Sequence, residues 1–280
     1  MKFYCIYKKE DTSVRFLKKA AEERGLKFIG LDPTTYDFTR AIPFSRSDLL
    51  YRVKTGSDCA SFEKFLINKK VTTFYRTYSR AISTPCNILI YEKENISRPK
   101  TIYRLTCDKK LMVKYAKNLG FPLIIKATGG SHGVGIIKVD SLSSLFSITD
   151  YLLSKNAADS FVMKEFINTK TSARLIILGN KVIDSIEYIA PEGDFRSNEG
   201  SRPTVHIKKF SKTIEKMAIR ATQALNIEFA GVDILIDKNG KGYVAEANFP
   251  CFFPRAQMLT GKNIAGMMLD YLIKKAKKTS

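Results

Sequence analysis

The stretch from Gly231 to Cys251, GVDILIDKNGKGYVAEANFPC, constrains the fold more than any other. Asn239-Gly240 is a strong hairpin signal, because a type I′ turn requires positive φ at both central residues. With those two at the turn, Lys238 pairs with Lys241, Ile236 faces Tyr243, Leu235 faces Val244 and Asp233 faces Glu246. Side chains alternate along a strand, so Asn248 shares a face with Glu246. Val232, Ile234, Ile236, Val244 and Ala245 make both faces of the hairpin largely apolar. Like charges directly opposite each other destabilise a sheet. Three readings stay open on the letters: two solvated acids on an exposed hairpin, a carboxyl that takes up a proton, or a bound cation. The apolar neighbours argue against the first. Two carboxylates and an amide oxygen suit a hard ion such as Mg2+, which binds through one or two carboxylates plus substrate phosphates.

The chain around this hairpin has 280 residues, enough for one large or two modest domains, and 44% hydrophobic content supports a core. It contains no apolar run near the length of a membrane span. The opening MKFYCIYKKED lacks the long apolar segment of a secretory signal, so the expected compartment is the cytoplasm. Five scattered cysteines (5, 59, 86, 107 and 251) with no CxxC agree with a reducing compartment and predict neither a disulfide framework nor a zinc site. Only His132 and His206 are available for a histidine-based metal site, which argues against one. The net charge of +20 attracts nucleotides, acidic peptides or nucleic acid. A lysine-rich solvated surface is the plain alternative. No RNA-recognition or zinc-finger motif appears, so nucleic acid is not the expected partner.

The strands FYCIY (3–7) and KFIGLD flank a helix, TSVRFLKKAAEERG, with Thr12 or Ser13 as its cap and Gly25 at its end. This β-α-β opening predicts a parallel sheet. SFEKFLINKK reads as a further helix. The pattern changes near residue 82. STPCNILIYEKEN predicts a helix capped by Ser83 or Thr84 with Pro85 at its first position, and DKKLMVKYAKNLG one that runs from an Asp108 cap to Gly120. PLIIKATGGSHGVGIIKV reads as strand, glycine-rich loop, strand. A helix follows at SLSSLFSITDYLLSKN, then strands at FVMKEFI, ARLIILG and KVIDSIEYIA. SKTIEKMAIRATQALN and NIAGMMLDYLIKKAKK are the last predicted helices.

Glycines in KATGGSHGVG (126–135) let backbone N–H groups converge on phosphate oxygens. The segment is neither a P-loop nor a dinucleotide fingerprint. Its order along the chain is informative: a lysine and glycine loop, then KEFI, then the arginine-bearing strand ARLIILG, then the Asp/Glu/Asn hairpin. With APEGDFRSN (190–198), AGVDIL and EAN, this order resembles the ATP-grasp superfamily, and within it the RimK-like carboxylate–amine ligases. The resemblance is continuous from about Pro122 to the C-terminus.

The resemblance implies an α/β protein of the α+β ATP-grasp type. An N-terminal Rossmann-like pre-ATP-grasp domain (1–82) is followed by a two-lobed ATP-grasp domain with antiparallel sheets, its central lobe at 83–160 and its C-terminal lobe at 161–280. It implies that Lys126 contacts ATP phosphates and that 129–135, with Gly129, Gly130, Ser131, Gly133 and Gly135, closes over them. Glu165, Phe166 and Ile167 become the adenine hinge, and Ser172 stands where relatives carry a ribose-directed aspartate. Arg174 lies near the phosphates. Arg196, Ser197 and Asn198 line the nucleotide and reaction centre, with Arg196, Asn198 and Arg174 in catalytic roles. Asp233, Glu246 and Asn248 hold two Mg2+ ions, with Mn2+ as the alternative metal. The implied partners are ATP, an acidic carboxylate acceptor and an amine or amino acid, and related ligases are often dimers or tetramers.

Some positions depart from the family pattern. Thr84 stands near the place of an expected helix lysine, for which Lys109 is a substitute. FPCFFPRAQ and EGSRPT replace the usual segments flanking the acceptor site. The implied activity is ADP-forming amide synthesis through an acyl phosphate. Modification of a ribosomal precursor peptide and a non-catalytic nucleotide-binding module are the alternatives. Arg202 and Arg255 are looser candidates for gripping an acidic substrate. Cys251 has no histidine placed by sequence to activate it, and Phe249, Phe252 and Phe253 read as an apolar wall or plain packing.

Overall fold

The computed structural model describes residues 1–67, 71–77, 84–127, 135–155, 160–169, 171–196 and 204–279, without the side chains of 84–86 and 279. The chain opens with β1 (Lys2–Ile6), α1 (Thr12–Glu22), β2 (Lys27–Leu31), β3 (Leu49–Arg52) and α2 (Ser57–Leu66). The three strands form a parallel sheet in the order β2-β1-β3. Helix α1 buries Val14, Leu17, Ala20 and Ala21, the spacing of one helical face. Its cap is Asp11 rather than Thr12 or Ser13: the carboxylate accepts the Val14 N–H at 3.1 Å, a stronger acceptor than a hydroxyl.

The next elements are α3 (Thr84–Lys93), β4 (Thr101–Ile102), α4 (Lys109–Leu119), β5 (Leu123–Ala127), β6 (Ile136–Val139), α5 (Leu142–Ser154) and β7 (Phe161–Glu165). Their strands make an antiparallel sheet in the order β4-β7-β5-β6. Asp108 caps α4 as expected, accepting from Lys110 and Leu111. Met112, Ala116 and Leu119 from α4 and Leu145 and Leu152 from α5 pack on Leu123, Ile125 and Met163. That leaves the alternate face of β5 for other work.

The remaining elements are β8 (Thr171–Leu178), β9 (Lys181–Ile189), β10 (Thr204–Ile207), α6 (Lys212–Ala224), β11 (Phe229–Ile236), β12 (Gly242–Asn248), α7 (Pro254–Thr260) and α8 (Ile264–Thr279). They supply an antiparallel sheet in the order β10-β9-β8-β11-β12. One face packs on α6 through Ile214, Ala218 and Ala221, together with Tyr91 of α3. The other shares a core with the N-terminal sheet: Ile176 and Phe229 meet Phe3, Tyr51 and Phe74, and α8 adds Met268, Leu269 and Leu272.

Two sets of contacts cross the expected boundaries. β7 hydrogen-bonds to β5, so the central sheet extends through Glu165 rather than ending at 160. Helix α3, expected to open the central lobe, packs in the C-terminal core instead. Burial of apolar faces decides both, and chain order does not report it.

The hairpin turn also differs from expectation. Gly240 has φ of 79°, but Asn239 is not among the positive-φ residues, so the turn is not type I′. Asp237 closes a three-residue loop: its N–H donates to the Lys241 carbonyl, and its carboxylate accepts from the Asn239 and Lys241 N–H groups. The register near the turn is therefore Leu235–Tyr243 and Ile234–Val244, one residue off the type I′ count. An irregularity between Asp233 and Ile234 restores it, and Asp233 faces Glu246 as the letters predict.

Candidate active site

Asp233 of β11 lies opposite Glu246 of β12 and, on its other side, beside Arg174 of β8. Arg174 grips it with both prongs, Nε donating to Oδ1 at 2.7 Å and Nη2 to Oδ2 at 2.6 Å. Asn248 donates its Nδ2 to Oδ2 at 3.2 Å. Glu246 accepts from Lys126 of β5, Nζ to Oε2 at 3.0 Å, across the gap between two sheets. Each facing acid thus has its own cation. Burial by itself would raise the Glu246 carboxyl, but Lys126, Lys164 and Arg174 outweigh it and hold the group below the usual range. Asp233 is only 4% exposed, which removes the reading of two solvated acids.

The two antiparallel sheets bound a cleft of about 820 Å³ of free space open to solvent. Ile124, Lys126 and Ile136 line one wall, and Asp233, Leu235, Ala245 and Glu246 the other. Between them lie Lys164, Glu165, Phe166 and Ile167. The Glu165 carboxylate accepts the Lys100 N–H at 3.1 Å, and its own N–H donates to the Lys100 carbonyl at 2.9 Å. The chain leaves the ladder after Glu165, so the Phe166–Ile167 backbone meets the cleft beyond the end of β7. Phe195 sets its ring edge-on to Phe166 at 6.2 Å. Arg196, also lining the cleft, is held by Asp194 through Nη2 to Oδ2 at 2.8 Å and two bonds to Oδ1. Hydrogen bonding from Arg196 in turn keeps the Asp194 carboxyl low.

The structure thus brings together Lys126, Glu165, Phe166, Ile167, Arg196, Asp233 and Glu246 around one cleft, with Arg174 and Asn248 bonded to Asp233. Gly135 closes the β5–β6 pair with φ of 83°, where a Cβ would sit 2.7 Å from that of Ala127. Gly129, Gly130, Ser131, His132, Gly133, Ser197, Asn198 and Arg202 lie outside the described residues. So does the Thr84 side chain. Ser172 does not join the lining: it is buried on β8 opposite Leu235 of β11, and its hydroxyl has no hydrogen-bond partner among the described residues. Lys109 pairs with Asp150 at 3.6 Å. Arg255 lies over the Tyr188 ring at 5.8 Å, with Arg174 over the same ring at 5.9 Å. Cys251 is buried and its thiol is pushed up to about 12, so it is no nucleophile at neutral pH. Phe253 belongs to the core, whereas Phe252 is exposed.

Sequence reasoning missed Lys164. Its signal is legible in FVMKEFI, where a lysine interrupts an apolar strand. Burial, with the like charge of Lys126, pushes its ammonium down to about 8.

The oxygen donors Asp233, Glu246 and Asn248 fit Mg2+, which needs few protein ligands when phosphates complete its shell. An ionised Glu246 meets the requirement for a deprotonated ligand. Among the described residues no cluster of three or more His, Cys, Asp or Glu offers a different metal site.

A family model for the RimK-like ATP-grasp domain matches residues 85–272. A probable alpha-L-glutamate ligase of Vibrio atlanticus (strain LGP32) is 31% identical over 216 residues, which cover 76% of this chain and 68% of the relative. Among solved structures, the ATP-grasp ligase PsnB, complexed with a phosphomimetic variant of its minimal precursor, Mg and ADP, superposes with a TM-score of 0.76 at 14% identity over 98% of each chain. The macrocyclase MdnC, bound with precursor peptide MdnA from Microcystis aeruginosa MRC, gives 0.71 at 12% identity over 98% of this chain and 100% of its own. The chain belongs to the RimK-like ATP-grasp family. It is an ATP-binding ligase that forms carbon–nitrogen bonds, and none of its described helices is long and apolar enough to cross a membrane.

Proposed function

We propose that the protein joins a carboxylate to an amine at the expense of ATP, through an acyl phosphate. The observation that carries this reading is the pair of facing acids, each matched to a cation, at the wall of a solvent-open cleft between two antiparallel sheets. The adenine lies against Phe166 and Ile167, and the phosphates reach Lys126. Asp233, Glu246 and Asn248 would hold Mg2+, two ions on this reading, and the metal would supply positive charge against the transferring phosphoryl group. A substrate carboxylate oxygen attacks the γ-phosphorus and ADP leaves. The amine nitrogen then attacks the acyl carbon, phosphate leaves, and the nitrogen loses a proton. Arg196 and Arg174, whose forks hold Asp194 and Asp233, add positive charge near phosphate or carboxylate oxygens as negative charge develops, and the family resemblance assigns a catalytic role to Asn198 as well. The net charge of +20 favours an acidic acceptor: a peptide, a carrier protein or a small acid.

A second reading is supported by the fold neighbours, two of which hold precursor peptides. In it, the acceptor carboxylate is a side chain of a ribosomal precursor and the amine belongs to the same peptide. Loss of one water from the peptide mass would support this, and a mass gain from an added amino acid would support the first reading.

The test is ADP release by the purified protein with ATP and Mg2+, against a panel of carboxylates and pooled amino acids. A doubly substituted control, Asp233→Asn with Glu246→Gln, runs beside it. Substrate-dependent ADP that disappears in the control is the expected result. A protein that binds no ATP would overturn the proposal.

A further inference from the structure

The cleft carries a cation that neither the family pattern nor the ion pairs described above use. Lys164 lies on β7 opposite Ile124, and Lys126 lies on β5 opposite Val162. Ile124 and Lys126 share a face of β5, so Lys126 and Lys164 are diagonal neighbours on the same face, with backbones roughly 7–8 Å apart. Both line the cleft. Lys164 is 8% exposed. Among the described residues its ammonium has no hydrogen-bond or ion-pair partner.

A buried, unpartnered ammonium is costly, and proteins retain few of them without a counter-charge. The charged groups that face it are Lys126, Arg98 and Glu246. Arg98 is paired with Glu92 at 2.8 Å, and Glu246 is hydrogen-bonded to Lys126. The named groups therefore leave one uncompensated positive charge, that of Lys164, in a solvent-accessible cleft with apolar walls. Such a place attracts a multiply charged anion, and a flexible lysine stem suits a phosphate oxygen as a point-charge partner.

We propose that Lys164 and Lys126 form a two-cation seat for the polyphosphate of the nucleotide, with Lys164 supplying the cation that the helix position near Thr84 lacks. This rests on the cleft being the nucleotide site. Glu246 at the rim of the seat couples it to the metal ligands, so polyphosphate and divalent cation bind next to each other.

The experiment measures equilibrium binding of ATP, ADP and adenosine to the full chain at fixed salt, in wild type, Lys164→Met and Lys164→Arg. Lys164→Met is expected to weaken ATP by about tenfold or more, the loss of a hydrogen bond to a charged group. Adenosine affinity stays unchanged, and Lys164→Arg recovers most of the loss. Thermal unfolding of each variant checks the fold, and Lys164→Gln replaces the methionine variant if that one does not fold. Equal weakening of ATP and adenosine would overturn the proposal in favour of a packing role, and so would an unaltered ATP affinity. A wild type that binds adenosine but gains nothing from the phosphates would also overturn it, while leaving the cleft as an adenine site. A wild type that binds none of the three would overturn the nucleotide reading itself.

Discussion

Glu63 and Glu246 are both carboxylates paired with a cation, the first buried and the second part-exposed at a cleft, and their acidities move in opposite directions. Glu63 on α2 is 1% exposed, accepts from Arg52 Nε at 2.5 Å and from the Tyr75 hydroxyl at 2.8 Å, and is raised because burial outweighs both partners. Glu246 is lowered, because Lys126, Lys164 and Arg174 together outweigh its burial. Arg52 spends its other donors on the carbonyls of Lys54 and Phe249, at 2.7 and 3.3 Å, and lies over the Phe249 ring. Its network is a brace joining β3, α2 and the segment after β12. The cleft network has more cations than its acids can satisfy and opens to solvent. A closed ionic cluster holds the fold, and one with surplus charge at a cleft is equipped to take a ligand.

The comparison predicts different losses from the two regions. Glu246→Gln should lower substrate-dependent ADP release by about 10²–10³-fold or more, with the fold intact by circular dichroism. A variant with near-normal turnover would remove Glu246 from the chemistry. Arg52→Ala should cost about 3–5 kcal/mol in urea denaturation, because it strands Glu63 as a buried charge. The nucleotide affinity of its folded fraction should not change, and a large change would mean that the brace is part of the site.

Lys164→Met should move stability the other way, by about 2–3 kcal/mol at neutral pH, since it removes a buried cation. The sign follows from proton linkage. The ammonium is depressed to about 8 in the folded chain and lies near 10.4 when unfolded, so the unfolded state binds more protons between those values. The wild type therefore gains stability as pH rises through that window, and the advantage of Lys164→Met should vanish by its upper end. Unfolding midpoints at pH 7 and pH 10.5 check this. The smallest effect is that of Tyr75→Phe, expected to cost about 1.5 kcal/mol by deleting one hydrogen bond to Glu63 while leaving the ring on Phe249. If it equals the Arg52→Ala loss, the brace behaves as one unit rather than as separable bonds.

Much of the architecture was legible in local patterns. Helix α4 announces itself through Asp108 and Gly120, and β8 and β9 through their apolar runs around Gly179-Asn180. The facing of Asp233 and Glu246 was also legible, though by two compensating one-residue differences: a longer turn closed by Asp237 and an irregularity beside Asp233. Residue identity at a turn does not report the bulge, which depends on packing across the sheet. The pairing of β7 crosses the expected division at 160, because its partner is β5, more than thirty residues earlier.

The sequence by itself determined the longer helices and strands, though not the short β3, β4, β10 and α7, together with the family motifs and the two acids that share a hairpin, because turn chemistry and side-chain alternation act within a few residues of each other. Only the tertiary structure decided who neutralises those acids. Arg174 reaches Asp233 across a separation of 59 residues and Lys126 reaches Glu246 across 120. Lys164 joins them because a second sheet is folded over the first. Charge pairing at such separations depends on the register and docking of whole sheets, which no window of residues contains.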